Sequence, residues 1–230
     1  MLNNVKSIYI LNIILGLLKK RIKLKLVKYN KKFINKLNIM KEDFEQFILL
    51  KEINLKFNLN IKDIDINELN LGNKYLDDNI IEHLSKIKFN KLKVLNFEKN
   101  NISDIKGLEK VKYEKLELLN LYDNKIKDID ILEKVNFKEL KELYLDKNKI
   151  SDIKVLEKVK FDKLQLLKLN ENDISNIDIL EKVNFKELKK LYLDKNNVSD
   201  IKVLENVKFR EIEILILGYN KIYDINILEN

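Results

Sequence analysis

A 24-residue period runs through more than half of this 230-residue sequence. Two segments that lie 48 residues apart, or two periods, are nearly the same, since residues 132–157 and 180–205 are identical at 23 of 26 positions. A unit this short cannot bury its own apolar side, so such chains fold by stacking successive units against each other. The period therefore predicts a solenoid in which one coil packs on the next. Six asparagines mark its register: Asn100, Asn124, Asn148, Asn172, Asn196 and Asn220.

Leucines alternate with polar residues before each of these asparagines, as in LELLNLYDNKI (residues 116–126) and LKKLYLDKNNV (residues 188–198). A period of two predicts a short strand whose leucines turn inward. Such strands, stacked side by side, form a parallel sheet along one side of the coils. An asparagine amide can both donate to and accept from backbone groups of neighbouring coils. We interpret the six asparagines as a structural ladder; the alternative is a row of ligand-binding amides.

The pattern L-x-x-L-x-L-x-x-N, followed by D-I-x-x-L, resembles the leucine-rich repeat family, and the return segment is most similar to the internalin and phosphatase-regulatory types. The resemblance covers residues 92–230. It implies an α/β solenoid of horseshoe shape, with one short parallel strand per coil and short helical turns on the convex side. It also implies a non-enzymatic module or scaffold that binds another protein on its concave sheet and carries no cofactor.

The return leg of each coil repeats a polar residue and an aromatic residue. We interpret the polar residue as a helix cap and the aromatic residue as part of the core. The alternatives are a calcium ladder and a base-stacking platform, respectively. The polar residues are Asp104, Asp128, Asp152, Asn176, Asp200 and Asp224, and the aromatic ones are Phe89, Tyr113, Phe137, Phe161, Phe185 and Phe209.

The strand positions that face outward on the concave side differ between coils, and they mix tyrosine and aliphatic residues with charge. That composition is typical of a protein-binding surface. The alternative is unselected divergence in a duplicated array. The predicted partner-binding residues are Leu118, Tyr122, Glu142, Tyr144, Asp146, Leu166, Lys168, Asn170, Lys190, Tyr192, Asp194, Ile214 and Ile216.

Composition argues against several classes of function. The chain has no cysteine and one histidine, so multi-histidine and zinc–cysteine sites are excluded, and no nucleophile is paired with a base. The excess of positive charge behind the net charge of +8 comes from residues 1–40, which hold ten basic residues and no acid. The remaining 35 basic and 37 acidic residues give a net charge of −2, so no nucleic-acid-binding stripe is predicted.

The predicted domains are a basic, partly hydrophobic leader at residues 1–40 and a repeat domain at residues 41–230. Within the repeat domain, residues 41–91 hold a divergent cap and irregular repeats. Residues 92–230 hold six regular repeats, the last of them incomplete. The last repeat stops in mid-coil, so one hypothesis is that the array is part of a longer protein.

Two further expectations concern the first, divergent repeats. Residues 42–50 predict a short amphipathic helix that caps the array, and residues 50–61 predict a first, irregular coil. Residues 69–89 keep the strand pattern and the closing phenylalanine but have a different length.

The sequence of the leader predicts that it binds a surface or a partner separately from the repeats. Its apolar run at residues 7–18 is shorter than the roughly 20 residues that span a bilayer. The residues after it follow the pattern of a basic amphipathic helix, which suits an anionic membrane surface or an acidic partner. The alternative is a cap or an extension with solvated lysines. Weak membrane association through residues 1–40 therefore remains a second hypothesis.

Overall fold

The computed structural model describes residues 41–207 and 209–226. Residues 1–40 lie outside this range, so the hypotheses about the leader stay predictions. The chain divides into two compact units between Leu59 and Asn60.

The described part of the first unit is a helix, α1 (Lys41–Lys56). Gln46, Leu50 and Ile53 are buried and follow the i, i+4, i+7 spacing of one helix face. After the helix, Asn58 takes a positive φ of 50°, and the Leu59 N–H donates to the Asn54 carbonyl at 2.9 Å. This is a Schellman-type helix end. The expected irregular coil over residues 50–61 is therefore wrong for residues 50–56, because the helical stripe continues through Ile53.

The second unit is built on one parallel sheet of seven strands in sequential order. The six strands expected from the period are all present, which confirms the repeat prediction, and an additional strand precedes them. Register is kept throughout, so that the central leucine of each strand pairs with the central leucine of the next. The strands are β1 (Glu68–Asn70), β2 (Val94–Asn96), β3 (Leu118–Asn120), β4 (Glu142–Tyr144), β5 (Leu166–Lys168), β6 (Lys190–Tyr192) and β7 (Ile214–Ile216).

Short helical turns return the chain between strands. The first of them is α2 (Asn79–Leu84). The polar residue before each later turn accepts from the backbone N–H two residues on, as Asp128 Oδ1 does from the Asp130 N–H at 2.8 Å. The 3-10 turns span Lys106–Lys110, Asp130–Glu133, Lys154–Glu157, Asp178–Glu181 and Lys202–Glu205.

The core lies between the sheet and these turns. Leu119, Leu143, Leu167 and Leu191 are fully buried at the strand centres. The return-leg aromatic residues are buried as well, with at most 4% exposure from Phe89 through Phe185. Rings buried to this extent cannot stack on bases, so the alternative of a base-stacking platform is wrong for these five positions.

Tyr113 shows how a polar aromatic residue fits this core. Its ring packs edge-on against Phe89, with ring centroids 5.6 Å apart. Its hydroxyl donates to the Leu84 carbonyl at 2.6 Å. Burial raises the pKa of Tyr113 above its ordinary value, so the hydroxyl stays protonated as a donor.

Candidate functional site

The amides of the asparagine ladder bind backbone groups. Asn124 Nδ2 donates to the Phe97 and Leu121 carbonyls at 3.0 and 3.1 Å, and its Oδ1 accepts from the Ile102 N–H at 3.1 Å. Asn148, Asn172, Asn196 and Asn220 repeat the two donor contacts at 2.8–3.0 Å. These contacts occupy the amide groups that a ligand would need.

The concave face of the sheet brings the predicted partner-binding residues together in columns. Equivalent positions on consecutive strands are paired in register, so Leu118, Glu142, Leu166, Lys190 and Ile214 form one continuous column. Most of the predicted residues are half-buried by their neighbours. Two differ, since Ile216 is 39% exposed and Asp146 only 6%.

Tyr144, Lys168 and Tyr192 form an aromatic–cation stack in the middle of this face. The Lys168 ammonium lies 5.2 Å from the Tyr144 ring centroid and 5.3 Å from the Tyr192 ring centroid. Tyr144 also donates its hydroxyl to Glu142 Oε2 at 2.6 Å. Burial is the largest cause that raises the pKa of the Tyr144 hydroxyl, and the hydrogen bond to Glu142 is the next largest. The stack orders three long side chains that would otherwise be mobile on a surface.

Asp146 and Asn170 occupy the same repeat position in adjacent coils, two residues after Tyr144 and Lys168 respectively. Asp146 Oδ1 and Asn170 Oδ1 are buried and have no hydrogen-bond partner among the described residues. Burial raises the pKa of the Asp146 carboxyl, whereas a hydrogen bond with its own backbone and the nearby Lys168 act in the opposite direction. Glu171 and Asp194 add smaller contributions that raise this pKa. Two unsatisfied acceptor oxygens therefore occupy the same repeat position of adjacent coils.

Ion pairs between equivalent positions of neighbouring coils were not predicted from the sequence. The Glu117 carboxylate lies between the ammonium groups of Lys93 and Lys141, 2.7 Å from each. The hydrogen bonds from Lys141 and Lys93 lower the pKa of Glu117 to about 2. The sequence signal for these pairs is the 24-residue offset between opposite charges.

Tyr122 has two cationic neighbours. The ammonium groups of Lys99 and Lys147 lie 6.0 and 5.8 Å from its ring centroid. Lys147 also forms an ion pair with Asp123 at 2.8 Å. The Tyr122 ring is therefore accompanied by two cations, one coil before the Tyr144–Lys168–Tyr192 stack.

No metal centre is found in the part of the chain that the structure describes. Residues 41–207 and 209–226 contain no group of three or more histidine, cysteine, aspartate or glutamate side chains that could hold a metal ion. The return-leg aspartates bind their own turn N–H groups, as Asp152 does with Lys154 at 2.9 Å. His83 is half-buried, and its Nδ1 lies 2.7 Å from the Asn79 carbonyl oxygen.

None of the helices in the described residues is both long and apolar enough to cross a bilayer.

Comparisons with known proteins agree with this geometry. Residues 114–158 match the family of Leucine Rich repeats (2 copies). The structure of an internalin (inlF) from Listeria monocytogenes is 25% identical, with a TM-score of 0.52, and the match covers 78% of this chain and 58% of that one. Internalin C2 (inlC2) from the same organism is 24% identical, with a TM-score of 0.54, covering 79% and 88%.

A plant protein gives a third match. The leucine-rich repeat ectodomain of the receptor kinase GASSHO1/SCHENGEN3 from Arabidopsis thaliana, in complex with CASPARIAN STRIP INTEGRITY FACTOR 2, is 25% identical. Its TM-score is 0.52, and the match covers 67% of this chain and 18% of that one. This chain thus spans little more than half of the inlF chain and under a fifth of the plant ectodomain. Among curated proteins, none matches the sequence.

The fold defines a solenoid of stacked coils that share one parallel sheet. Residues 114–158 match leucine-rich repeats, and the fold of the chain is like that of the internalins. Leucine-rich repeat proteins generally serve as non-enzymatic scaffolds for protein interactions.

Proposed function

We propose that this chain is a non-enzymatic scaffold that binds a protein partner on the concave face of its sheet. The observation that carries the proposal is the composition of that face. Core positions hold leucine in each regular strand, whereas the concave positions carry Tyr122, Tyr144, Tyr192 and Ile216 among charged residues. Tyrosine and aliphatic groups ringed by charge are typical of the centre of a protein interface.

The aromatic–cation stack supports the same proposal. Ordering Tyr144, Lys168 and Tyr192 before a partner arrives lowers the conformational entropy that binding would otherwise cost. The plant ectodomain similar to this chain is in a complex with another protein factor, which gives a precedent in the family. The partner of this chain is defined only by class, as a protein.

The test is recovery of a partner by crosslinking from the concave face, followed by affinity measurement with variants. Tyr192→Ala should weaken binding at least about tenfold if Tyr192 lies at the centre of the contact, and Ile216→Lys should weaken it by placing a charge there. Tyr223→Ala is the matched control, because Tyr223 is 84% exposed and lies outside the strands.

Equal affinities for the wild type and both concave variants would refute the proposal for this end of the sheet. Binding that was instead lost in Tyr223→Ala would place the interface on the return leg.

A second candidate function is association with an anionic membrane through residues 1–40. The observation that favours it is the run of ten basic residues without an acid. Flotation of the full chain with vesicles rich in phosphatidylserine tests it, with neutral phosphatidylcholine vesicles as the control. Equal recovery with both vesicle types would reject it.

A further inference from the structure

The two unsatisfied oxygens on the concave face, Asp146 Oδ1 and Asn170 Oδ1, are the only buried side-chain polar atoms without a partner in residues 41–207 and 209–226. Buried polar groups in native proteins are nearly always hydrogen-bonded, and buried charges are paired. Both exceptions fall on adjacent coils at the same repeat position. A single donor group that bridges the two coils would satisfy both of them.

The fold itself does not require an acid at this position. Glu98, Tyr122 and Gly218 occupy the equivalent position in other coils, and the solenoid continues through all of them in register. The ladder asparagines bind backbone groups and not the Asp146 carboxylate, and the contact of that carboxylate with its own backbone leaves Oδ1 without a partner. Asp146 thus costs stability without a structural return, which is the usual sign of a functional residue.

The chemistry of the missing group follows from the two oxygens. Both atoms are acceptors, so the group must donate, and one belongs to a carboxylate, so a cation is favoured. The two coils are about 4.7–4.9 Å apart, the spacing of neighbouring strands. A planar guanidinium presents several N–H donors in a fork that can bridge two such acceptors, and it also packs well on tyrosine rings.

A metal ion fits these positions less well. Calcium takes about six to eight oxygen ligands, and magnesium needs near-octahedral coordination. The described residues hold no group of three or more candidate metal-binding side chains. The Lys168 ammonium does not fill the position, because it lies between the rings of Tyr144 and Tyr192 and leaves Asp146 Oδ1 without a partner.

We propose that Asp146 and Asn170 together form a subsite for an arginine side chain of the protein partner, beside the Tyr144–Lys168–Tyr192 stack. Asp194, at the equivalent position of the next coil, adds negative charge on the far side of Asn170. This inference rests on the proposed function and makes it more specific, because it names the chemistry that the concave face selects. A partner segment that carries arginine is selected over one that carries glutamate or a neutral residue.

The test is a titration of the full chain, labelled with ¹⁵N, with the blocked tripeptide Gly-Arg-Gly. The matched probe is Gly-citrulline-Gly, which keeps the shape of arginine and removes its charge. Saturating shifts of the Asp146, Asn170 and Asp194 amide signals are expected with the arginine peptide. The citrulline peptide should bind about tenfold more weakly or worse, the difference expected for one lost charge-assisted hydrogen bond.

Asp146→Asn should lower the affinity for the arginine peptide about tenfold while the remaining amide signals keep their positions, which shows that the fold is intact. Glu157→Gln is the control, since it removes one negative charge from an exposed position on the return leg. Its affinity should stay within about twofold of the wild type. Equal binding of both peptides, or equal binding by wild type and Asp146→Asn, would overturn the subsite.

If the Asn170 amide were rotated so that Nδ2 donated to Asp146, the two oxygens would no longer be unsatisfied. The two peptides would then bind equally, and the subsite would be overturned in the same way. The outcome for the proposed function is read separately, with the crosslinked protein partner. If the partner binds Asp146→Asn normally but still loses affinity with Tyr192→Ala, the arginine subsite is wrong and the concave interface stands. If the partner is insensitive to Tyr192→Ala and Ile216→Lys, the proposed function fails, whatever the peptide does.

Discussion

Asn148→Ala tests whether the asparagine ladder stabilises the fold. Asn148 Nδ2 donates to the carbonyls of Leu121, Leu145 and Asp146 at 3.0, 3.0 and 3.2 Å, and its Oδ1 accepts from the Ile126 N–H at 3.0 Å. Alanine removes all four contacts. It adds no volume, so the cost comes from the backbone groups that lose a partner.

Those groups do not lose equally. The Leu121 carbonyl keeps the donor Asn124, and the Leu145 carbonyl keeps Asn172. The Ile126 N–H has no second acceptor among the described hydrogen bonds. This hydrogen bond is part-buried, and leaving its donor unsatisfied costs up to about 1–3 kcal/mol, so we expect the free energy of unfolding to fall within that range.

The assay is urea denaturation followed by circular dichroism. With an m value of about 3 kcal/mol/M, a loss of 1–3 kcal/mol moves the midpoint by about 0.3–1 M. The control is Asn101→Ala, because Asn101 is exposed beside the ladder and should change stability by less than about 0.5 kcal/mol. A curve for Asn148→Ala that overlaid the control, together with lost partner binding, would refute the structural role. Equal m values are needed, because repeat arrays can unfold in more than one step.

Four further predictions follow from single features. Asp146→Asn should be at least as stable as the wild type at pH 7, because burial raises the pKa of the Asp146 carboxyl above its unfolded value. The contribution of Asp146 to stability therefore falls as pH rises through the folded pKa. Relative to the variant, the wild type should have a lower urea midpoint at pH 7 than at pH 4, and an equal difference at both pH values would contradict this. Glu117→Gln removes a carboxylate whose pKa is lowered to about 2. The stabilisation by this carboxylate is present above the unfolded pKa of about 4.3 and is lost as pH falls toward 2. Because the group is partly exposed, we expect urea curves at pH 7 to show a loss below about 1 kcal/mol, which shrinks in 0.5 M salt. Tyr113→Phe should cost about 1–2 kcal/mol, because the buried Leu84 carbonyl loses its donor, and unchanged melting of the variant would contradict this. Deletion of residues 1–40 should leave a folded array, and a variant without cooperative unfolding would instead make the leader part of the fold.

Part of the candidate site was predictable because the period fixes which side chains face outward. Tyr144, Tyr192 and Ile216 lie on strands of the concave face, and Tyr122 follows the end of β3, because register is constant from coil to coil. Their degree of burial was not predictable, because it depends on the length and direction of neighbouring side chains. Asp146 illustrates this, since its position is outward by pattern and yet only 6% of it is exposed.

The sequence by itself determined the solenoid, the six regular strands and the contacts of the asparagine ladder. The physical reason is that a constant 24-residue period leaves one way to bury every leucine, and local alternation sets the strands within it. The end of the helix at Lys56 was missed, because the leucine and isoleucine spacing near it fits both a strand and a helix face.

Only the tertiary structure decided which residues meet across coils. The Tyr144–Lys168–Tyr192 stack and the Lys93–Glu117–Lys141 pairs depend on the rotamers of long side chains one coil apart. The unsatisfied oxygens of Asp146 and Asn170 depend on what their neighbours leave unpaired. Such contacts arise from three-dimensional packing, because the same residue types in other coils make different contacts.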